Sequence, residues 1–353
     1  MTSQAHRRLV IGTTTPKIRP GGIPSFIDTA KSLARYRNTV FLEWTESEGD
    51  RQLSLGRFNR RLLKRTLISQ LRVLIAGQRF EEIEVHSIRT GLSALIFYRR
   101  KCIFFYHGPG FQEAAVEGAG RFRRLFLYLI ENFFLSGLKG YLTASEAFKL
   151  RLRENHGVPL NLIEVMRPST TLDRAEYADT IRQKLEEARK SGILHCIICR
   201  RLVQRVGVLE FLAEFAKIRE LTNIQISIVG QGPLEDEVRQ ACSIDDRVVF
   251  LGALSDAERD EVYAQSLFNL VPTLHLEGLG MVIYEGIKYG TVPLSTTVGG
   301  MPELIDELRA GRYFNTIDTL VRSISLATVE KELARQDALA EMEKSANPLA
   351  VRA

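Results

Sequence analysis

Two carboxylates eight positions apart, Glu277 and Glu285, bracket the glycines Gly278 and Gly280 in the stretch EGLGMVIYE. An ionised carboxylate only accepts hydrogen bonds, so vicinal hydroxyls suit it. Glycines let a backbone come close to a ligand. A glycine loop that runs into a helix also leaves N–H groups free for an anion. The elements that must hold this set are readable on either side. Ser266–Thr273 reads as a short buried strand that stops at a proline. Met281–Tyr289 reads as a helix, with Gly290 placed to end it. Val292–Ser295 reads as a second strand and Gly299–Gly300 as a second loop. Pro302 and Glu303 suit the first turn of a further helix. Taken singly, each glutamate is a solvated surface acid. Strand, loop, helix and second loop together read as a phosphate site with sugar hydroxyls before and beyond it.

Two more groups stand at the ends of apolar strands. Cys102–Tyr106 runs into His107-Gly-Pro-Gly110, and the end of a parallel strand is where open α/β sheets bind ligands. A lone His there is more often structural. Gly192–Cys199 runs into a basic loop, Arg200-Arg-Leu-Val-Gln-Arg-Val-Gly207. Cys196-Ile-Ile-Cys199 has the spacing of a redox or metal pair, but residues three apart on a strand face opposite sides. No second pair completes a zinc site, so Cys102, Cys196, Cys199 and Cys242 are expected as core thiols.

The chain has 353 residues, enough for two α/β domains. His6–Thr15 reads as a first strand, Pro20–Pro24 as a loop holding Gly21 and Gly22, and Ser25–Tyr36 as an amphipathic helix. Strand, loop and helix open a Rossmann-like unit, although no G-x-G-x-x-G is present. Thr39–Trp44, Ile83–Ser87, Ile224–Val229 and Val248–Gly252 read as further strands. Residues 1–175 carry 28 Lys+Arg and 15 Asp+Glu, a net of +13, and the remaining 20 and 27 give −7. A basic half joined to an acidic half suggests that one half meets an anionic partner. Arg51–Ala76 holds seven basic residues and no acid beside an apolar face, a pattern that suits anionic lipid. Arg121–Leu138 is apolar and aromatic after a basic start, interrupted by Glu131 and Asn132, and core packing is its expected use. No nucleic-acid module is present. No apolar run is long enough to cross a membrane, and the first residues hold too short an apolar segment for a signal peptide. A cytoplasmic location is expected, with the inner membrane surface as a partner.

These motifs resemble the signature of retaining glycosyltransferases of family four, the group 1 glycosyl transferases. That pattern is E-x-F-G, a second Glu eight residues on, C-G-T-P-V and V-G-G-x-P-E. Here it stands as Glu277-Gly-Leu279-Gly280, Glu285, Tyr289-Gly-Thr-Val-Pro and Val298-Gly-Gly-Met-Pro-Glu303. The resemblance runs on through His107-Gly, through Arg200–Gly207 for G-R-L-x-x-x-K-G, and through Gly230-Gln-Gly232-Pro for the G-x-G-P loop. Val206 stands where the family has Lys, with Arg205 one place earlier.

The resemblance implies an α/β protein of the GT-B fold, two Rossmann-like domains facing a central cleft. The expected division is 1–175 for the acceptor side, 176–335 for the nucleotide-sugar, and 336–353 for a C-terminal helix and tail. The tail leaves little room for the family's usual return helix. The implied activity is hexosyl transfer from a nucleotide-sugar to an acceptor, with retention at the anomeric carbon. The acceptor would be a polysaccharide or lipid-linked saccharide, and no cofactor or metal is implied. His107, Arg201 and Glu277 would act at the reacting sugar and diphosphate. Gly21, Gly22, Arg205, Gly230, Gly232, Gly278, Leu279, Gly280, Met281 and Glu285 would line the substrate. The competing reading is a non-catalytic scaffold of the same fold that binds a nucleotide or a partner.

Overall fold

The computed structural model describes residues 8–14, 39–45, 70–167 and 172–346. Gly21, Gly22, the Ser25–Tyr36 helix and most of the basic Arg51–Ala76 segment lie outside them. The chain divides into two compact units, Met1–Ser169 and Thr170–Ala353.

The first unit holds β1 (Arg8–Thr14), β2 (Thr39–Thr45), β3 (Glu82–Val85), β4 (Cys102–Tyr106), β5 (Gly140–Thr143) and β6 (Ile163–Val165). They form one sheet in the order β2-β1-β3-β4-β5-β6, and every pairing is parallel. Parallel strands need crossovers, which cover both faces of a sheet and favour continuous apolar strands. Accordingly Leu9, Val10, Ile11, Ile83, Phe105 and Leu142 are buried.

The second unit repeats the plan with β7 (Leu194–Cys199), β8 (Ile224–Val229), β9 (Val248–Gly252), β10 (Phe268–Val271), β11 (Val292–Thr296) and β12 (Arg312–Phe314). The order is β12-β11-β10-β7-β8-β9, again all parallel. This is the doubly wound Rossmann order, which reverses between β7 and β10. Loops leaving the carboxyl ends of those two strands therefore diverge and open a crevice. In the first sheet the corresponding point lies between β1 and β3.

Two helices close one side of the second unit. Arg174–Ser191 is capped by Asp173, whose carboxylate accepts from the Ala175 and Glu176 amides. Leu326–Ala346 runs unbroken through residue 336. Three ion pairs join them: Arg174 with Glu343, Arg182 with Asp337 and Arg189 with Glu330. Lys184 is buried on the inner face of the first helix. Its Nζ donates to the carbonyls of Tyr263 (3.0 Å), Ser266 (2.8 Å) and Tyr289 (2.5 Å). Burial pulls its pKa down to about 7, while three acceptors match the three protons of an ammonium group.

The cysteines sit as expected. All four are free, Cys102, Cys196 and Cys242 are buried, and burial pushes the Cys199 thiol up to about 11. The expectation of core packing for Arg121–Leu138 holds for Leu135 and Leu138, which are buried, and fails for most of the helix before them. The helix Arg121–Leu135 exposes Phe122, Leu125, Phe126, Leu129 and Phe133, each more than half accessible. Its inward side includes Glu131 and Asn132, which meet His156: Asn132 Oδ1 lies 3.1 Å from Nδ1, and Glu131 Oε2 lies 3.4 Å from Nε2. The polar pair read as an interruption lies on the packed side, beside the buried Leu135 and the half-buried Phe134.

Candidate active site

In the second unit the site grows from the two loops that part at the β7–β10 reversal. Arg200 follows β7 directly. Its backbone N–H donates to Val229 O at 2.9 Å, which fixes the loop to the end of β8. A Cβ on Gly230 would lie 1.8 Å from Arg200 O, so only glycine allows this approach. Gly232 presses on the same loop, where a Cβ would lie 2.2 Å from Leu202 O. Gly230 and Gly232 therefore shape the arginine loop with their backbone.

The side chains of that loop separate. Arg200 Nη2 donates to Glu277 Oε2 in a short ion pair and to Thr273 Oγ1 at 3.2 Å. Arg201 is exposed to solvent. Gln204–Val206 forms a single 3-10 turn, followed by Gly207 in the left-handed region. That turn sends the Arg205 side chain toward the loop from β10. Its Nη1 donates to Leu276 O at 2.9 Å, and its own carbonyl accepts from the Leu274 and His275 amides. Val206 is buried at 1% exposure, so at the position of the family's Lys the side chain belongs to the core.

The loop from β10 is held under strain. Leu276 has φ 55°, uncommon for a residue with a branched apolar side chain. Glu277 comes next. Burial pushes its carboxyl upward, but the Arg200 charge and hydrogen bond, with the Arg205 charge and the Gly280 N–H, outweigh it. The carboxyl is thereby held below the usual range. Its backbone carbonyl accepts from Gly300 N–H at 3.3 Å, and a Cβ on Gly299 would lie 1.7 Å from the same oxygen. The second glycine loop thus clasps the first. Gly278 is half-buried and Leu279 is buried at its side chain, so Leu279 offers a ligand only its backbone.

Gly280 caps the helix Met281–Ile287. Asn269 of β10 donates from Nδ2 to Val282 O at 2.8 Å, tying the helix to the strand. Seven residues make a weak dipole, so the arginines outrank this helix end as partners for a diphosphate. Glu285 lies one turn in and differs from Glu277. It accepts no hydrogen bond from the described residues and forms no ion pair with them. Burial raises its pKa, against the partial opposition of Arg259, Lys288 and Arg200.

In the first unit, His107 stands just past β4, beside His86 at the end of β3. His86 Nδ1 lies 3.0 Å from His107 Nε2, and His86 Nε2 lies 2.9 Å from Glu84 Oε1. Arg8 Nη1 approaches Glu84 Oε2 at 3.5 Å. Phe105 stacks on both imidazoles, at 5.0 and 4.5 Å between centroids. Burial and then the neighbouring His86 hold His107 well below its ordinary pKa, so it is neutral. A carboxylate only accepts, so His86 Nε2–H donates to Glu84 Oε1, and the two imidazoles share one further hydrogen bond between His86 Nδ1 and His107 Nε2.

Sequence reading missed Arg200, Glu84 and His86. Arg200 occupies the glycine position of G-R-L, and adjacent residues at a strand end point opposite ways. Glu84 and His86 are two apart on a strand, hence on one face, and that signal was available. Among the described residues, no group of three or more His, Cys, Asp or Glu is placed to hold a metal ion.

The glycosyl transferases group 1 family matches residues 194–327. A GDP-mannose-dependent alpha-(1-6)-phosphatidylinositol monomannoside mannosyltransferase of Mycobacterium tuberculosis is 23% identical over 189 residues, half of this chain and 49% of that protein. The N-acetyl-alpha-D-glucosaminyl L-malate synthase of Bacillus anthracis is 32% identical over 122 residues, 34% of this chain and 31% of that protein. The matched stretch thus spans about half the length of the mycobacterial relative and less of the other. Among solved structures, Anabaena HepE with UDP and glucose aligns with TM-score 0.66 at 16% identity, over 98% of this chain and all of that one. WaaG, a glycosyltransferase of lipopolysaccharide biosynthesis, aligns with TM-score 0.62 at 15% identity, over 97% and 99%. Two Rossmann-like units of parallel strands, a group 1 match in the second and likeness of fold along the whole chain make this a protein of the GT-B fold.

Proposed function

We propose that the chain moves a sugar from a nucleotide-sugar to an acceptor, with retention at the anomeric carbon. The observation that carries this reading is Glu285, a half-buried carboxylate that accepts no hydrogen bond from the described residues. It stands one helical turn beyond a loop whose arginines and amides suit a diphosphate. Such a group keeps its acceptor oxygens open to a ligand. Ribose hydroxyls supply the donors it lacks.

On this reading Arg201, exposed and in no ion pair with the described residues, meets the diphosphate, with Arg205 beside it. Both would offset the charge that grows on the departing group. Glu277 would receive the donor sugar, held in place by Arg200. His107 is assigned to the sugar on the resemblance alone. The mycobacterial relative, named for a phosphatidylinositol monomannoside, favours a lipid-linked saccharide here too, and with it a place at the cytoplasmic face of a membrane. No helix among the described residues is long and apolar enough to cross one.

One observation favours the second reading, a scaffold that binds a nucleotide without turnover. The buried Val206 removes the family's lysine charge. Incubation with a panel of nucleotide-sugars separates the two. Release of nucleoside diphosphate, with transfer to a lipid-linked acceptor, supports the enzyme. Binding without release supports the scaffold, and no nucleotide binding by calorimetry overturns both.

A further inference from the structure

The Arg121–Leu135 helix is amphipathic in the inverse sense. Phe122, Leu125, Phe126, Leu129 and Phe133 follow the spacing i, i+3, i+4, i+7, i+11 and stand outside the fold, Phe122 at 83% exposure. At 100° per residue they fall within an arc of about 100°. Arg121 and Arg123 flank that arc, one on each side, and are exposed with Arg124. Glu131, on the opposite side, faces the fold and His156. The stripe is pinned in place. Arg99 Nη2 donates to Phe133 O at 2.9 Å, and its guanidinium lies 5.4 Å from the Phe133 ring. Soluble proteins scatter exposed apolar residues singly, whereas a contiguous stripe of this kind marks an interaction surface.

We propose that this helix is the surface by which the chain lies on an anionic lipid bilayer. From Phe122 to Phe133 the stripe is about 16 Å long at 1.5 Å per residue, too short to cross a bilayer but suited to lying in its interface. Phenylalanine and leucine enter the acyl boundary while the flanking arginines meet lipid phosphates, each arginine adding to the attraction. Charge decides against a second copy of the chain. The only acid of this helix is Glu131, which is turned inward, so two such faces would bring arginines together with nothing to pair them. The inference deepens the membrane part of the reading above and is independent of sugar transfer.

The test is flotation of the full chain with vesicles of phosphatidylcholine alone or with 30 mol% phosphatidylglycerol. The wild type is expected to float with the anionic vesicles. The variant Phe122→Ser/Phe126→Ser/Leu129→Ser is expected to lose at least tenfold in bound fraction, with its melting temperature and nucleotide affinity unchanged. Arg121→Glu/Arg123→Glu/Arg124→Glu is expected to lose the preference for the anionic vesicles. A Phe126→Trp probe should shift its emission to the blue on vesicle addition. The proposal is overturned if the wild type does not float, if the serine variant floats as well as the wild type, or if the serine changes alter only oligomeric state. Nucleotide binding measured on the same preparations keeps a failure here distinct from a failure of the sugar-transfer reading.

Discussion

Glu277 and Glu285 are the same residue type, one loop and one helical turn apart, and the structure treats them oppositely. Glu277 is committed: Arg200 grips its carboxylate, the Gly280 amide donates to it, and its charge is favoured. Glu285 is uncommitted: it is half-buried, accepts no hydrogen bond from the described residues, and its charge is disfavoured. A group held rigid by its own protein can orient a ligand but has little binding capacity left. A desolvated group without a partner gains most when a ligand brings one. The contrast predicts that damage at Glu277 is felt first in the fold, and damage at Glu285 first in binding.

The largest effect is expected on the committed side. Arg200→Ala leaves the Glu277 carboxylate without its cation, and the pair is only 10% and 15% exposed at its side chains. Removing one member of such a pair costs about 3 kcal/mol. Chemical denaturation should show that loss, with nucleoside diphosphate affinity falling less. If stability is unchanged, Glu277 is not committed and the contrast fails.

Glu285→Ala should do the reverse. Two charge-assisted hydrogen bonds from ribose are lost, each worth about 1.5–3 kcal/mol. Calorimetry should show nucleoside diphosphate affinity lower by a factor of at least ten, with the protein still folded. Glu277→Ala should spare the bare nucleotide and weaken the nucleotide-sugar. Equal loss of both ligands would erase the difference between the two acids.

A smaller effect belongs to Arg205. Its guanidinium holds Leu276 O at 2.9 Å, at the strained turn before Glu277, and its charge reaches Glu277. If the chain is active, Arg205→Ala should lower turnover about tenfold, equivalent to about 1.4 kcal/mol of transition-state stabilisation. Val206→Lys, which would restore the family's charge, would place an ammonium at a position with 1% exposure. It should destabilise the protein rather than restore turnover.

Much of this was legible in the sequence, because buried parallel strands are near-continuous apolar runs. β4, β8 and β9 fall on the residues read for them, and the Glu277–Glu303 module forms the strand, loop, helix and loop its glycines and prolines imply. What escaped depends on facing. Arg121–Leu135 is rich in apolar residues all round, and composition alone does not say which side packs. Only His156, distant in sequence, makes Glu131 and Asn132 the inward pair. The same holds for Arg200 and Arg201. Two adjacent arginines are equivalent on paper until Thr273 and Glu277 take one of them.

The finest test of the contrast is Glu285→Gln. A carboxyl whose folded pKa lies above its unfolded value binds its proton more tightly when folded. Its ionised form therefore weakens the fold. That penalty is fully present above the folded pKa and is gone below the unfolded one. Glutamine keeps the shape without the charge. The variant should therefore melt above the wild type at pH 7.5, by no more than about 3 °C, and the gap should close as pH falls through the carboxylate range. Nucleotide affinity should move the other way. Ribose hydroxyls donate to the ionised form, so wild-type affinity should be full at neutral pH and fall as Glu285 takes up its proton, at a higher pH than for an ordinary carboxylate. The glutamine variant should bind weakly at every pH, with that step missing. Identical melting curves at all pH would mean that Glu285 is well solvated. A raised melting point with unchanged nucleotide affinity would mean that it is buried for a reason other than the nucleotide.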